Sequence, residues 1–422
     1  MTPCKQNNTH MANIKNPKNI LGVTLVELMV AITISSIVAI GIGSVYTSSK
    51  RSFKLQEEFS RLQENGRFAM NYVARFVRGA GYSGCSSALG NMYNDINDDD
   101  PDLNFQTGLE GYEALGTAPN ETGATLAEYP SVSATTSDFN ILTSSGTTPI
   151  TNALLTKLGV LPRSDILISR AAADSGVEIV ENNKSANFVI NWISTEDKTT
   201  AQACVITDPT DPTKTTKVTG YNGICPDQFL LISDCEKSVA FQVSNMSKLG
   251  GSPSTVRIVH NKSGTPGNKS ASWGAAGANA DPGFDFVTGD ELVTVATKYF
   301  YVGAGTNGPA LFMKHGSATP LELVEGVENM QVLYGEDIDG NSIPDRYIPA
   351  DQVTNFANVS VVRLSLLLRS VKNLSWRTQQ SQNYFLGGMT NATSTRITSP
   401  SDQRLRRVMT MSIKVRNAAF SL

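Results

Sequence analysis

The chain has 422 residues, with 35 Lys+Arg against 38 Asp+Glu and a formal charge of −3. At about 100–200 residues per domain there is room for one or two domains. A hydrophobic content of 40% excludes both a disordered chain and a polytopic membrane protein. So near to neutrality, no nucleic-acid partner is expected, and three scattered histidines (His10, His260, His315) exclude a His-rich metal centre.

Residues 1–22 carry Lys5, Lys15 and Lys18 and no acid, whereas Leu28–Tyr46 is free of charge. As a helix that stretch is about 28 Å long, close to the ~30 Å of a bilayer's hydrocarbon core. No second run follows, so a single span is expected. A secretory signal peptide would have a shorter apolar region and a small-x-small site after it. An ordinary signal anchor explains the length but not Glu27, a carboxylate at the edge of the run, which asks for a partner.

The string Lys18-Asn19-Ile20-Leu21-Gly22 followed by Val23-Thr24-Leu25-Val26-Glu27-Leu28-Met29-Val30 accounts for all of it. It resembles the class III signal of type IV pilins and type II secretion pseudopilins. The resemblance implies that prepilin peptidase cuts after Gly22 and that Val23 becomes an N-methylated terminus. It also makes Glu27 the glutamate used in assembly. Val23 departs from the family's usual Phe. Glu27 lies four residues beyond the new α-amine, about 6 Å along a helix. A carboxylate packed among apolar helices needs a cation, and a neighbouring subunit's amine can supply one.

Lysines on both flanks (Lys15 and Lys18; Lys50, Arg51 and Lys54) leave charge counting nearly indecisive on orientation. Cysteines speak more clearly. Cys4 lies in the leader, while Cys85, Cys204, Cys225 and Cys235 form an even set that suits an oxidising periplasm, with three pairings open. No CxxC pair points to zinc.

Beyond the span, Leu55, Phe59, Leu62, Ala69, Val73 and Phe76 keep helical spacing on one stripe. Gly79-Ala80-Gly81 then predicts a stop. The expected organisation is a leader over 1–22, a helix over 23–80 (28–46 transmembrane, 47–80 amphipathic) and a β-rich globular domain over 81–422. Residues 86–163 are polar, and the acidic run 94–102 reads as a solvated loop. Strands are predicted near 165–169, 188–190, 229–233 and 239–243, and more regularly over 291–302, 310–314, 321–334, 359–369 and 406–416. Residues 246–285 read as loop. The fold class is α+β: a long N-terminal helix packed on a mainly antiparallel sheet domain with long loops.

Several segments narrow the resemblance. Asn65-Gly66-Arg67-Phe68-Ala69 through Gly81-Tyr82-Ser83-Gly84-Cys85 is similar to the helix end of PilW-type minor pilins. So are Leu230 to Cys235, Leu323 to Glu328, Val332 to Gly335 and Arg363 to Ser370. That resemblance implies the pairs Cys85–Cys235 and Cys204–Cys225. It further implies a minor pilin that primes type IV pilus assembly at or near the filament tip. Its partners would be prepilin peptidase, other minor pilins, the major pilin and the inner-membrane assembly platform. It would sit as a single-pass inner-membrane protein with its body in the periplasm, reaching the cell surface after assembly. A type II secretion minor pseudopilin shares the same N-terminal logic.

One loop carries its own chemistry. Asp337-Ile338-Asp339-Gly340-Asn341-Ser342-Ile343-Pro344-Asp345 sets oxygen donors at every second residue and a carboxylate at the ninth. It resembles calcium loops of the thrombospondin type, in which Asp337, Asp339, Asn341 and Asp345 give side chains and Ile343 a carbonyl. Ca²⁺ takes 6–8 oxygens at about 2.3–2.6 Å. Ser342 replaces the usual Gly, and Ile348 stands in place of the closing acid, for which Asp351 or Glu336 would substitute. The competing reading is a polar turn whose Asp and Asn side chains bond their own backbone. No catalytic residue is expected: Gly-x-Ser-x-Gly and phosphate-loop motifs are absent. A membrane-tethered secreted enzyme is the remaining alternative. It would lose its hydrophobic stretch, whereas cleavage after Gly22 leaves 400 residues beginning at Val23.

Overall fold

The computed structural model describes residues 23–84, 92–97, 101–119, 121–127, 129, 133–140, 149–182, 186–191, 202–207, 215–221, 224–234, 237–249, 255–270, 273, 289–316, 318–388 and 394–417. Gly22, Cys4, Cys85 and Cys235 lie outside them. The chain divides into two compact units, Met1–Glu58 and Phe59–Leu422.

In the first unit the long helix α1 (Leu25–Gly79) begins. Its start has a local cause. The Thr24 carbonyl accepts from Leu28 N–H at 3.1 Å, and its hydroxyl from Glu27 N–H at 3.3 Å. Thr24 is thus the N-cap, with an acid at the third helical position. From Leu25 to Lys54 every residue is exposed, including Ile37 at 70% and Ile40 at 73%. This apolar helix is long enough to cross a membrane.

In the second unit α1 continues from Phe59 and buries Leu62, Ala69, Met70, Val73, Ala74 and Val77. The buried stripe keeps Leu62, Ala69 and Val73 of the expected one and widens to Met70, Ala74 and Val77. Phe59 stays 42% exposed, and Phe76 sits at the margin, its ring 5.7 Å from that of Phe300. Gly66 lies on this face, where a Cβ would meet the thioether of Met409 and, at 3.1 Å, Leu368 Cδ1. The helix lies on that point of closest approach. It ends as predicted, with Gly81 at φ +78° donating to the Arg170 carbonyl at 2.9 Å.

Among the described residues the strands form sheets of eleven, four, three and two members, mostly antiparallel. Long strands Ile166–Asn182 and Glu291–Gly305 pair at the centre of the largest sheet. The four-stranded sheet runs Arg346–Ile348, Val327–Glu336, Val359–Arg369, Arg406–Lys414. Ser169 Oγ donates to Phe76 O at 3.0 Å, so α1 is tied to the large sheet as well as to the small one.

Three expectations change. The predicted strand 321–334 is two strands, Leu321–Glu325 in the large sheet and Val327–Glu336 in the small one. Gly326 divides them at φ +78°, where a Cβ would lie 2.6 Å from Arg369 O. Only glycine accepts that geometry without strain. Within the expected 246–285 loop, strands Asn245–Leu249 and Thr255–Val259 form an antiparallel pair. In the acidic run, Asp95 is fully buried: its Oδ2 accepts from Trp273 Nε1 at 3.0 Å and its Oδ1 from Ser270 N–H at 2.8 Å. A carboxylate with two such donors is a core staple rather than a solvated charge.

Candidate functional site

At the N-terminus the cap explains why Glu27 stands where it does. Side chains in the first helical turn meet the partial positive charge of unpaired backbone N–H groups, which favours an acid. Val23, one residue before the cap, is 69% exposed. From Leu28 to Ser49 no other charge interrupts the helix, so Glu27 is the single ionisable group on a bare apolar rod. Such a rod needs lipid or other helices around it. The pattern Thr24-x-x-Glu27 is itself a sequence signal for this helix start.

The 337–345 loop follows strand Val327–Glu336. The carboxylates of Asp337, Asp339 and Asp345 place one oxygen each within 4.8 Å of one another. Asp337 is buried, while Asp339 and Asp345 face solvent. Backbone donors hold the arrangement. Asp337 Oδ1 accepts from Gly340 N–H at 2.8 Å and Oδ2 from Ser342 N–H at 2.7 Å. Asp345 Oδ2 accepts from Ile338 N–H at 2.7 Å. Gly340 and Ser342 both have positive φ, 77° and 68°. Ser342 therefore adopts by strain the conformation a glycine would adopt freely.

The two remaining expected ligands are differently placed. Asn341 is tied to Asp339, its Nδ2 donating to Asp339 Oδ2 at 2.8 Å, and its Oδ1 accepts from Ile343 N–H at 2.8 Å. Ile343 itself is 66% exposed. Neither substitute closing acid turns to the loop. Glu336 is buried, with Oε2 on Arg346 Nη2 at 2.7 Å and Oε1 accepting from Thr354 and from Asn355 N–H at 3.1 Å. Burial alone would raise its carboxyl, but the Thr354 hydroxyl and the Arg346 guanidinium hold it below the usual range. Asp351 Oδ2 accepts from Asn140 Nδ2 at 3.1 Å. Three hard oxygens converge, a donor set that suits Ca²⁺.

Cys204 and Cys225 form a disulfide with Cα atoms 5.9 Å apart. It ties the hairpin of strands Gln202–Thr207 and Thr215–Gly220 to the segment that leads into strand Phe229–Ser233. Neighbouring Ile224 is buried in the cluster of Phe188, Phe241 and Trp273. The proposed partner pair, Cys85 and Cys235, lies outside the described residues.

An apolar helix with a capped, acid-bearing start and a β-rich globular domain define an α+β, pilin-like protein. Residues 17–43 match the prokaryotic N-terminal methylation motif, which spans the Gly22–Val23 junction and Glu27. Residues 299–417 match the family described as type IV pilus-assembly protein W. Together the two matches support a PilW-type pilin related to the type IV pilus. The second covers the loop at 337–345 and the four-stranded sheet; the segment from Leu230 to Cys235 falls outside it. No curated protein and no solved structure matches the chain.

Proposed function

We propose that this protein is a non-enzymatic minor pilin that primes type IV pilus assembly and is incorporated at or near the filament tip. The observation that carries the reading is the isolated Glu27 at the start of the exposed apolar stretch of α1, directly after a methylation-motif junction. Before assembly the helix anchors the chain in the inner membrane with the body on the periplasmic side. Prepilin peptidase cuts after Gly22, and the Val23 amine so made pairs with the Glu27 carboxylate of an adjoining subunit. Other minor pilins, the major pilin and the assembly platform are the partners. The match to a pilus-assembly family at 299–417 favours a pilus over a type II secretion system. A large globular body fits the tip better than the crowded shaft. The test is Glu27→Ala in cells: cleavage to the 400-residue form persists while surface piliation falls sharply. Normal piliation in that strain would defeat the assigned role.

The loop at 337–345 is read as a calcium site that stiffens the turn after strand Val327–Glu336. The convergence of Asp337, Asp339 and Asp345 supports it. Calcium there would offset two of the three negative charges, which otherwise repel one another at short range.

A further inference from the structure

We propose that Glu113 and Asp165 form a proton-dependent latch that holds the strap of residues 113–119 and 121–126 on the globular domain. Both carboxyls are buried, Glu113 at 2% exposure and Asp165 at 2%. Asp165 precedes strand Ile166–Asn182 and stitches three pieces of chain together. Its Oδ1 accepts from Ala114 N–H in the strap at 3.0 Å, and its Oδ2 from Val332 N–H in strand Val327–Glu336 at 2.8 Å. Glu113 Oε1 lies 3.0 Å from the Thr117 hydroxyl, which also reaches Ala114 O at 2.6 Å, and its carboxyl shares a hydrogen bond with that of Asp165. Asp165, with two backbone donors, is the better host for the negative charge, and Glu113 the better host for the proton.

The surroundings make that proton necessary. Strand Val327–Glu336 brings the buried phenol of Tyr334, whose hydroxyl is 3.4 Å from Glu110 O. The turn Ala350–Gln352 brings Asp351, bound to Asn140, and the strap itself brings Glu121. Strand Leu109–Tyr112 contributes Glu110, whose charge is matched by Arg170 at 2.7 Å. The Arg163 guanidinium donates to Leu115 O at 2.7 Å. Around the pair, then, Asp351 and Glu121 add negative charge. Two ionised carboxylates in that setting would repel each other in a medium of low dielectric.

Burial is the main cause that raises Glu113 well above the ordinary range, with the negative charges of Asp165 and Asp351 adding to it. Burial likewise pushes Asp165 up to about 7, against the two backbone donors that pull it down. The sign follows from linkage. A carboxyl raised in the native state stabilises it fully below the unfolded value near 4, and that stabilisation fades as pH rises through about 7. What is released is more than a loop. The strap carries strand Ala124–Thr125, which pairs in parallel with strand Thr395–Thr398, and Thr395 donates its hydroxyl to Thr117 O.

Hydrogen exchange on the full chain in detergent micelles tests the latch. After correction for intrinsic rates, the amides of Ala114, Leu115 and Leu126 should lose protection by about tenfold between pH 5 and pH 8.5. Glu113→Gln, which keeps the shape but cannot ionise, should flatten that dependence. Protection that is flat in the parent chain, or equally steep in Glu113→Gln, overturns the proposal. Thr117→Val decides the matter should the first variant fail to fold: removing the donor to ionised Glu113 should move the release midpoint upward. A midpoint that stays put or falls overturns it too.

Discussion

Glu27 and Asp165 are both carboxylates that the chain places with donors nearby, yet they answer to different physics. Glu27 sits at an exposed helix start, where the unpaired N–H groups of its own turn favour an acid. Its motif, Gly22 to Val30, is contiguous, which is why it was legible without a fold. Asp165 was not legible, because its donors come from Ala114 and Val332, far away in sequence. The 337–345 loop lies between these cases: spacing revealed Asp337, Asp339 and Asp345, but the commitment of Glu336 to Arg346 and Thr354 required the fold. At this scale we expect Asp337→Ala/Asp339→Ala to abolish a rise in thermal stability that millimolar Ca²⁺ gives the parent protein. A parent Tm indifferent to Ca²⁺ would remove the site. We also expect Gly326→Ala to destabilise by about 2 kcal/mol or more in chemical unfolding, since a left-handed residue costs about 1–2 kcal/mol before any clash with Arg369 O.

Among the elements, α1 shows how far periodicity reaches. The apolar repeat from Leu55 to Phe76 announced an amphipathic helix, and Gly66 lets its inward face approach Met409 closely. Of that repeat, Leu62, Ala69 and Val73 are buried and Phe59 remains 42% exposed, while Met70, Ala74 and Val77 join the buried face. Strands 359–369 and 406–416 were visible from strict alternation, and they pair with one another without a register break from Val361–Lys414 to Arg369–Arg406. The pair Asn245–Leu249 and Thr255–Val259 was hidden because only Met246, Val256 and Ile258 turn inward amid polar neighbours. The disulfide acts at this scale as well. Cys204 and Cys225 are 21 residues apart, and closing a loop of that size removes about 3 kcal/mol of freedom from the unfolded chain. Reduction, or Cys204→Ser/Cys225→Ser, should lower the unfolding midpoint in urea and loosen exchange in strands Gln202–Thr207 and Thr215–Gly220 first.

For the molecule as a whole, the two units make different demands. The exposed run from Leu25 to Lys54 contributes no core, whereas the second unit buries its own clusters around Phe188 and Trp273 and around Tyr112 and Tyr299. A chain beginning at Phe53 should therefore remain folded and soluble without detergent, with a Tm by circular dichroism within a few degrees of the full chain. Its stability should also vary with pH in two directions. Asp402 is pulled below the usual carboxylate range: burial opposes this, but the bond from Arg406 prevails, as Thr354 and Arg346 do for Glu336. Stabilisation from these two is present above the unfolded value and lost as pH falls through the lowered ones. Glu113 and Asp165 lose theirs as pH rises, so a thermal scan should find the body more stable at pH 5 than at pH 8.

Gly326 has a bearing on how such a chain can change over generations. With one residue joining strands in two different sheets, neither can slip without dragging the other, and side chains alternate between faces at every step. A codon gained or lost beside that corner would exchange the strand's two buried faces, setting Gln331 and Leu333 where Val332 and Tyr334 now pack. Length variation among descendants should accordingly collect in the connecting segments elsewhere and spare the stretch from 321 to 336.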